Sequence, residues 1–316
     1  TTLFRSDATQ NPFVDNDPAK PLNEAVLAQW DGWLSALDEA GVATLFFVYD
    51  DSADVYGRGT DVSPSERRFV TALVQRFSHL RHLIWCIAEE YAEVLPPARV
   101  SKLAEIIRQA DKMGHPIAVH KNDGLDFSEF AGDPNLDQFA VQYNVPTAEE
   151  LHAGLVQAFA AAKGRYNLNL SEAADWGTGA VSRHKAWASA MAGAHAMAID
   201  MDIATTPPGD LADMGRLARF FSWVDLDSLA PKDDLAVGRT HYVLAGPASW
   251  VLYSQGGEGA LGLSDLSAGL YGALWFDCES GKATVQQGLD LGEGDASLTP
   301  PATFGPETAC YLVKTD

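Results

Sequence analysis

Long apolar runs are absent. No stretch of the 316 residues approaches the ~18 consecutive apolar positions of a membrane-crossing helix, so no membrane partner is expected. Positive charge is also short: 22 Lys plus Arg stand against 43 Asp plus Glu, a formal net charge of −21. A field of that sign repels phosphate backbones and anionic lipid, which removes nucleic acid and acidic membranes as partners and leaves neutral ligands, sugars among them. Cysteine is scarce. Cys86 sits in an apolar run and reads as a small buried hydrophobe. Cys278 and Cys310 could form a disulfide or stand as two unlinked thiols, and the compartment stays open. No CxxC, Cys/His or HxH spacing is present, so neither zinc nor any other cofactor is expected. No Gly-rich phosphate loop follows an apolar run, and Ser171-Glu172 is not a nucleophile elbow. The first residues, Thr1-Thr-Leu-Phe-Arg, hold no initiator Met and no apolar signal core, which reads as a trimmed, cleaved or internally numbered start.

What is present is an alternation. Hydrophobic content of 47% and charged content of 21% describe a globular chain with one large domain and a small one. After a polar Pro/Asn/Asp-rich loop over 1–22, apolar residues at Val26, Leu27, Trp30, Trp33, Leu34 and Leu37 predict a helix ending at Gly41. An apolar strand over 42–49 follows and ends in Asp50 and Asp51. Ser63-Pro-Ser-Glu66 has the pattern of a capping box opening a helix, and that helix runs into a strand within 83–91. A helix from Pro97 to Gly114, strands at 116–120 and 138–144, and a helix capped by Thr147-Ala-Glu-Glu150 come next. A strand at 165–172, a helix near 183–192, a strand at 194–200 and a helix at 210–223 complete the series.

Six buried, non-alternating strands separated by helices imply a parallel α/β architecture. The polar loops at the C-terminal strand ends favour a (β/α)₈ TIM barrel over an open sheet. An intact barrel needs eight strands, so residues 1–237 are expected to hold strands 3–8, with the first two β/α units absent from this chain. Beyond Pro231 the texture changes to short strands separated by Gly and Pro turns, which predicts an antiparallel β-sandwich over 238–316.

Two strand ends stand out. Leu83-Ile-Trp-Cys-Ile-Ala-Glu89-Glu90-Tyr91 stops in a carboxylate doublet, and Arg165-Tyr-Asn-Leu-Asn-Leu-Ser-Glu172 stops in another, followed by Asp175-Trp176-Gly177. Glycosidic cleavage needs one carboxylic acid to protonate the departing oxygen and a second carboxylate opposite it. Retaining enzymes hold the two about 5–5.5 Å apart and use the second as nucleophile.

On these motifs the chain resembles glycoside hydrolase clan A, retaining barrels with the acid/base after strand 4 and the nucleophile after strand 7. It is most similar to the apiosidase-like group, which carries a small C-terminal β domain. Trp85-Cys-Ile-Ala-Glu-Glu-Tyr, His115-Pro-Ile-Ala-Val-His and Val251-Leu-Tyr with Trp275-Phe-Asp carry the likeness. The resemblance implies a hydrolase of poly- or oligosaccharides, with Glu172 as nucleophile and Glu90 as acid/base. The clan has Asn-Glu where this chain has Glu89-Glu90, so Glu89 stands in the Asn place and remains a second candidate for the acid. The resemblance further implies that Tyr143 supports the nucleophile. His120, Asn122, Asp50 and Asp51 are candidate contacts to sugar hydroxyls, and Trp176 is a candidate stacking face.

Plainer readings stand beside these. The doublet could be a solvated turn, and Glu172 a structural carboxylate paired with Arg183. The whole chain could be a non-catalytic carbohydrate-binding scaffold on a decayed barrel. Six strands alone would leave two open edges, so a second chain or a further N-terminal segment is expected to complete the barrel.

Overall fold

The computed structural model describes residues 11–51, 54–122, 124–172, 176–196 and 205–315. Helices and strands alternate except between β3 and β4: α1 (Glu24–Glu39), β1 (Thr44–Tyr49), α2 (Pro64–Phe77), β2 (Leu83–Ala88), α3 (Pro97–Ala110), β3 (Ile117–Lys121) and β4 (Gln138–Gln142). They continue with α4 (Ala148–Ala162), β5 (Asn167–Glu172), α5 (Ala180–Met191), β6 (Ala194–Ala196) and α6 (Pro208–Phe221). The strands form one six-stranded sheet in chain order, β1 to β6, with parallel register from β1 through β4. Sequential parallel order is what right-handed βαβ units build, although the β3–β4 connection carries a 3₁₀ turn over Ser128–Phe130 in place of an α-helix.

All six expected strands are found. The last was expected over 194–200, of which 197–200 lie outside the described residues. Closure is not found: among the described residues β1 and β6 are the two edges of the sheet. Six strands cannot bring the two edges of a twisted sheet together at the tilt that an eight-stranded barrel uses. Among the same residues no helix is long and apolar enough to cross a membrane.

The chain parts into two compact units, Thr1–Gln142 with Ala162–Asn169, and Tyr143–Ala161 with Leu170–Asp316. In the first, β2 is buried on both faces: Trp85, Cys86, Ile87 and Ala88 are all fully enclosed. Phe69, Val70, Leu73, Val74 and Phe77 line one stripe of α2 at helical spacing and are buried as well. Asn23 caps α1 by accepting from the amides of Ala25 and Val26. Ser63 caps α2 through the Glu66 amide at 3.1 Å, with Pro64 in the first turn, an arrangement that contributes about 1 kcal/mol. The other half of the expected capping box is not made. The Glu66 carboxylate turns inward, accepting from the Tyr49 hydroxyl at 2.9 Å and from Arg99 Nη2 at 2.7 Å. Arg99 also donates to the carbonyls of Tyr56, Gly57 and Gly59, fastening the segment after β1 to α3. Helix α3 stops at Ala110, short of the expected Gly114, because Asp111 leaves the helix and accepts from the amides of Met113 and His115.

In the second unit the chain after α6 forms β7 (Ala230–Pro231), β8 (Ala236–Gly238), β9 (Tyr242–Ala245), β10 (Ser249–Ser254), β11 (Leu261–Leu266) and β12 (Gly269–Asp277). It ends with β13 (Ala283–Leu291), β14 (Gly294–Leu298) and β15 (Thr308–Lys314). They make a six-stranded sheet, β13-β12-β15-β10-β9-β7, and a three-stranded one, β14-β11-β8. Antiparallel pairings run through both sheets. Leu252, Trp275 and Leu312 of the first sheet share one apolar cluster with Leu261, Leu263 and Leu298 of the second.

Arg183 of α5 joins this β region to the helices: Nε meets Glu307 at 2.8 Å, Nη1 meets Asp213 of α6 at 3.1 Å and Nη2 meets Glu279 at 3.3 Å. Trp187 stacks flat on Tyr253, ring centres 4.8 Å apart. All three cysteines are free, buried thiols, so the Cys278–Cys310 disulfide is not formed. Trp223 is 41% exposed, lying two residues beyond the end of α6.

Candidate active site

Strand β2 ends at Ala88, but its pairing with β1 extends one residue further, where the Glu89 amide donates to the Tyr49 carbonyl at 3.0 Å. Glu90 then turns the chain, with φ 41° and ψ 51° in the left-handed region that a glutamate rarely enters. Its amide donates to Nδ1 of His120 at 3.1 Å. A 3₁₀ turn over Tyr91–Glu93 follows. Tyr91 is buried, its ring edge-on to Phe130 with centres 5.1 Å apart. Its hydroxyl donates to Glu129, which also receives Lys121 Nζ at 3.0 Å. The turn carrying Glu90 is thus fixed from before, at its own amide and from after.

The carboxylates of Asp51, Glu90 and Glu93 each place an oxygen within 4.8 Å of the others. Like charges this close repel, and they make the C-terminal edge of β1 and β2 a concentrated acidic patch. Carboxylates at a surface do not by themselves define a metal centre. Asp50, beside Asp51, is 6% exposed. Asn122 follows β3, half-buried.

Two expected sugar contacts are corrected. His120 is fully enclosed, because its position on β3 points into the packed sheet, where its ring meets Phe47 edge-on and its Nδ1 meets the Glu90 amide. Trp176 is 4% exposed and its indole N–H donates to Ser182 at 2.8 Å, so the ring packs inside rather than presenting a face to solvent.

In the second unit, Glu172 is the last residue of β5 and half-buried. The Tyr143 amide donates to its carbonyl at 3.4 Å, which brings Tyr143 alongside it. The alternative pairing of Glu172 with Arg183 finds no support, since Arg183 directs its three donor positions to Glu307, Asp213 and Glu279. Asp175 lies outside the described residues.

The sequence reading missed Glu129 and its bond to Tyr91. The only available signal was a tyrosine directly after the doublet. Burial works against ionisation of Glu129, but hydrogen bonds from Tyr91 and Lys121 outweigh it and hold the carboxyl below its usual range. Burial, reinforced by the Glu129 carboxylate, raises the Tyr91 hydroxyl.

Burial pushes His120 down from the ordinary 6.5 to about 4. Between those values the folded ring binds fewer protons than the unfolded one, so protonation favours unfolding. Stability is therefore expected to be full above pH 6.5 and to fall by roughly 3 kcal/mol as pH drops to 4. Urea unfolding across that interval measures the slope, which should flatten in His120→Asn.

No protein-family model matches the sequence, and no curated protein matches it. Solved structures do. One described as a glycoside hydrolase superposes with a TM-score of 0.68 at 14% identity, covering 92% of this chain and 77% of its own. A glycoside hydrolase family 5 protein from Bacteroides vulgatus ATCC 8482 gives 0.67 at 13% identity, covering 92% and 74%. At these identities the likeness is one of fold: the chain has the α/β architecture found in those glycoside hydrolases.

Proposed function

We propose that the protein is a retaining glycoside hydrolase of clan A, nearest to its apiosidase-like group, acting on a poly- or oligosaccharide. The observation that carries the reading is that, in a fold like that of glycoside hydrolases, β2 is followed directly by Glu89 and Glu90 and β5 ends in Glu172. In this reading β1–β6 serve as strands 3–8 of a barrel within residues 1–237, and 238–316 form an accessory β-sandwich. Glu172 attacks the anomeric carbon while Glu90 donates a proton to the departing oxygen. Glu90 then draws a proton from water as the glycosyl-enzyme ester is hydrolysed, and two inversions give net retention. Asp51, close to Glu90, would contact a sugar hydroxyl, with Asn122 and Asp50 as further candidates. Glu89 would stand where the clan places asparagine, and Tyr143 would support Glu172.

Trp33 is 51% exposed and Leu37 is 41% exposed. With Trp30, Leu34 and the edge strand residues Leu45 and Phe46 they form an apolar groove. Further strand–helix units of such a barrel, from this or another polypeptide, would dock there.

The test is a screen of nitrophenyl glycosides and plant or algal polysaccharides, with the product anomer followed by proton NMR. Release of the retained anomer first is the expected result. First release of the inverted anomer overturns the mechanism, and sugar binding without cleavage favours the scaffold reading.

A further inference from the structure

We propose that His120 is a positioning residue for Glu90, acting through its Nδ1 lone pair on the Glu90 backbone amide. The proposal rests on Glu90 being the acid/base. A left-handed glutamate costs about 1–3 kcal/mol of backbone strain and persists only where its surroundings hold it. Here the surroundings are specific. The preceding amide is tied to Tyr49 and the following residue is buried and tied to Glu129, but the amide of Glu90 itself meets a side chain. Accepting at Nδ1 requires the ring proton to sit on Nε2, so only this tautomer of the neutral ring makes the contact.

Ring enclosure supports the role. His120 belongs to β3, paired to β4 through Ala140 and packed edge-on to Phe47 of β1. A side chain so held is a rigid post, and rigid support is what an acid needs when an error of about 1 Å costs around 100-fold in rate. Without the acceptor, the amide of Glu90 loses its partner and the turn is free to relax toward ordinary backbone angles, carrying the carboxyl group with it.

The experiment compares His120→Ala, His120→Asn and Glu90→Gln on two glycosides of the sugar found in the screen, one with an alkyl and one with a 2,4-dinitrophenyl leaving group. Protonation matters for the first and hardly for the second, so kcat/KM separates positioning of the acid from general damage. His120→Ala should lower kcat/KM on the alkyl glycoside by about 10- to 100-fold, leave the dinitrophenyl value within about 3-fold, and so repeat the pattern of Glu90→Gln in weaker form. His120→Asn, whose amide oxygen lies near the Nδ1 position, should restore most of the alkyl activity. Equal loss on both substrates, or a folded His120→Asn that restores nothing, overturns the proposal. Should His120→Ala fail to fold, His120→Leu, which removes the acceptor and keeps the bulk, takes its place: selective loss on the alkyl glycoside upholds the role, and an undiminished alkyl rate or an equal loss on both substrates overturns it. An undiminished alkyl rate in Glu90→Gln is a different outcome, which refutes the assignment of Glu90 itself.

Discussion

Glu172→Gln is expected to abolish glycoside cleavage, with kcat reduced by about 10⁴-fold or more. Glutamine preserves the shape of the side chain but cannot form the glycosyl ester, so no activated leaving group rescues it. The fold should survive, because the contact between Tyr143 and Glu172 is made by the main chain. Glu90→Gln behaves differently. Loss of the general acid costs roughly 10²–10⁴-fold on poor leaving groups but spares kcat/KM on dinitrophenyl glycosides, which depart without a proton. In Glu90→Ala, azide can enter beside the glycosyl-enzyme and yield a glycosyl azide of retained configuration. Initial rates on the paired substrates and NMR of the azide product check both roles. If Glu172→Gln keeps a tenth of the activity, it is not the nucleophile. Exchange of roles between Glu89 and Glu90 would show as azide rescue in Glu89→Ala instead.

Arg99→Ala should destabilise the protein by about 3–5 kcal/mol, the usual consequence of removing one partner of a buried ion pair. Arg99 is 1% exposed and Glu66 is fully buried, so neither water nor a mobile counter-ion can compensate the carboxylate left behind. Three carbonyls lose their donor as well, those of Tyr56, Gly57 and Gly59. Replacing both charges, Arg99→Met with Glu66→Leu, removes the stranded charge but not the orphaned carbonyls or the Tyr49 hydroxyl. The double variant should therefore recover part of the loss and not all of it. Urea unfolding measures each. A loss under about 1 kcal/mol in Arg99→Ala would mean that the pair is not buried in solution. Because Arg99 fastens the segment that follows β1, the single variant should also slow any reaction that depends on Asp51.

The parallel sheet was legible because strands enclosed on both faces are written as unbroken apolar runs, as in Leu83 to Ala88 or Leu45 to Tyr49. Strand β14 was not, since Gly294-Asp-Ala-Ser-Leu298 offers two apolar side chains and a glycine. Helix starts at Ser63 and Thr147 were readable from cap chemistry, which is local. The fate of Glu66 was not, because a carboxylate three residues past a cap reads the same whether it folds back or meets an arginine 33 positions away. Within the site, the strand-end carboxylates were visible by type and place. The inward-facing roles of His120 and Trp176 were hidden, since nothing in one sequence tells a polar atom aimed at a neighbouring backbone from one aimed at a ligand. The two open edges were legible from the strand count, since six strands fall short of the eight an intact barrel needs, and among the described residues β1 and β6 are those edges.

The left-handed glutamate after β2 sets stability and chemistry against each other at a single position. Glycine enters that conformation without strain, and asparagine with little. A chain screened only for thermal resistance would drift toward either one at residue 90, relieving part of the roughly 1–3 kcal/mol of backbone strain while discarding the proposed proton donor. Libraries selected for robustness should therefore hold this position fixed, and a stabilised variant that has lost its glutamate there would mark the place where function had been resisting the preference of the backbone.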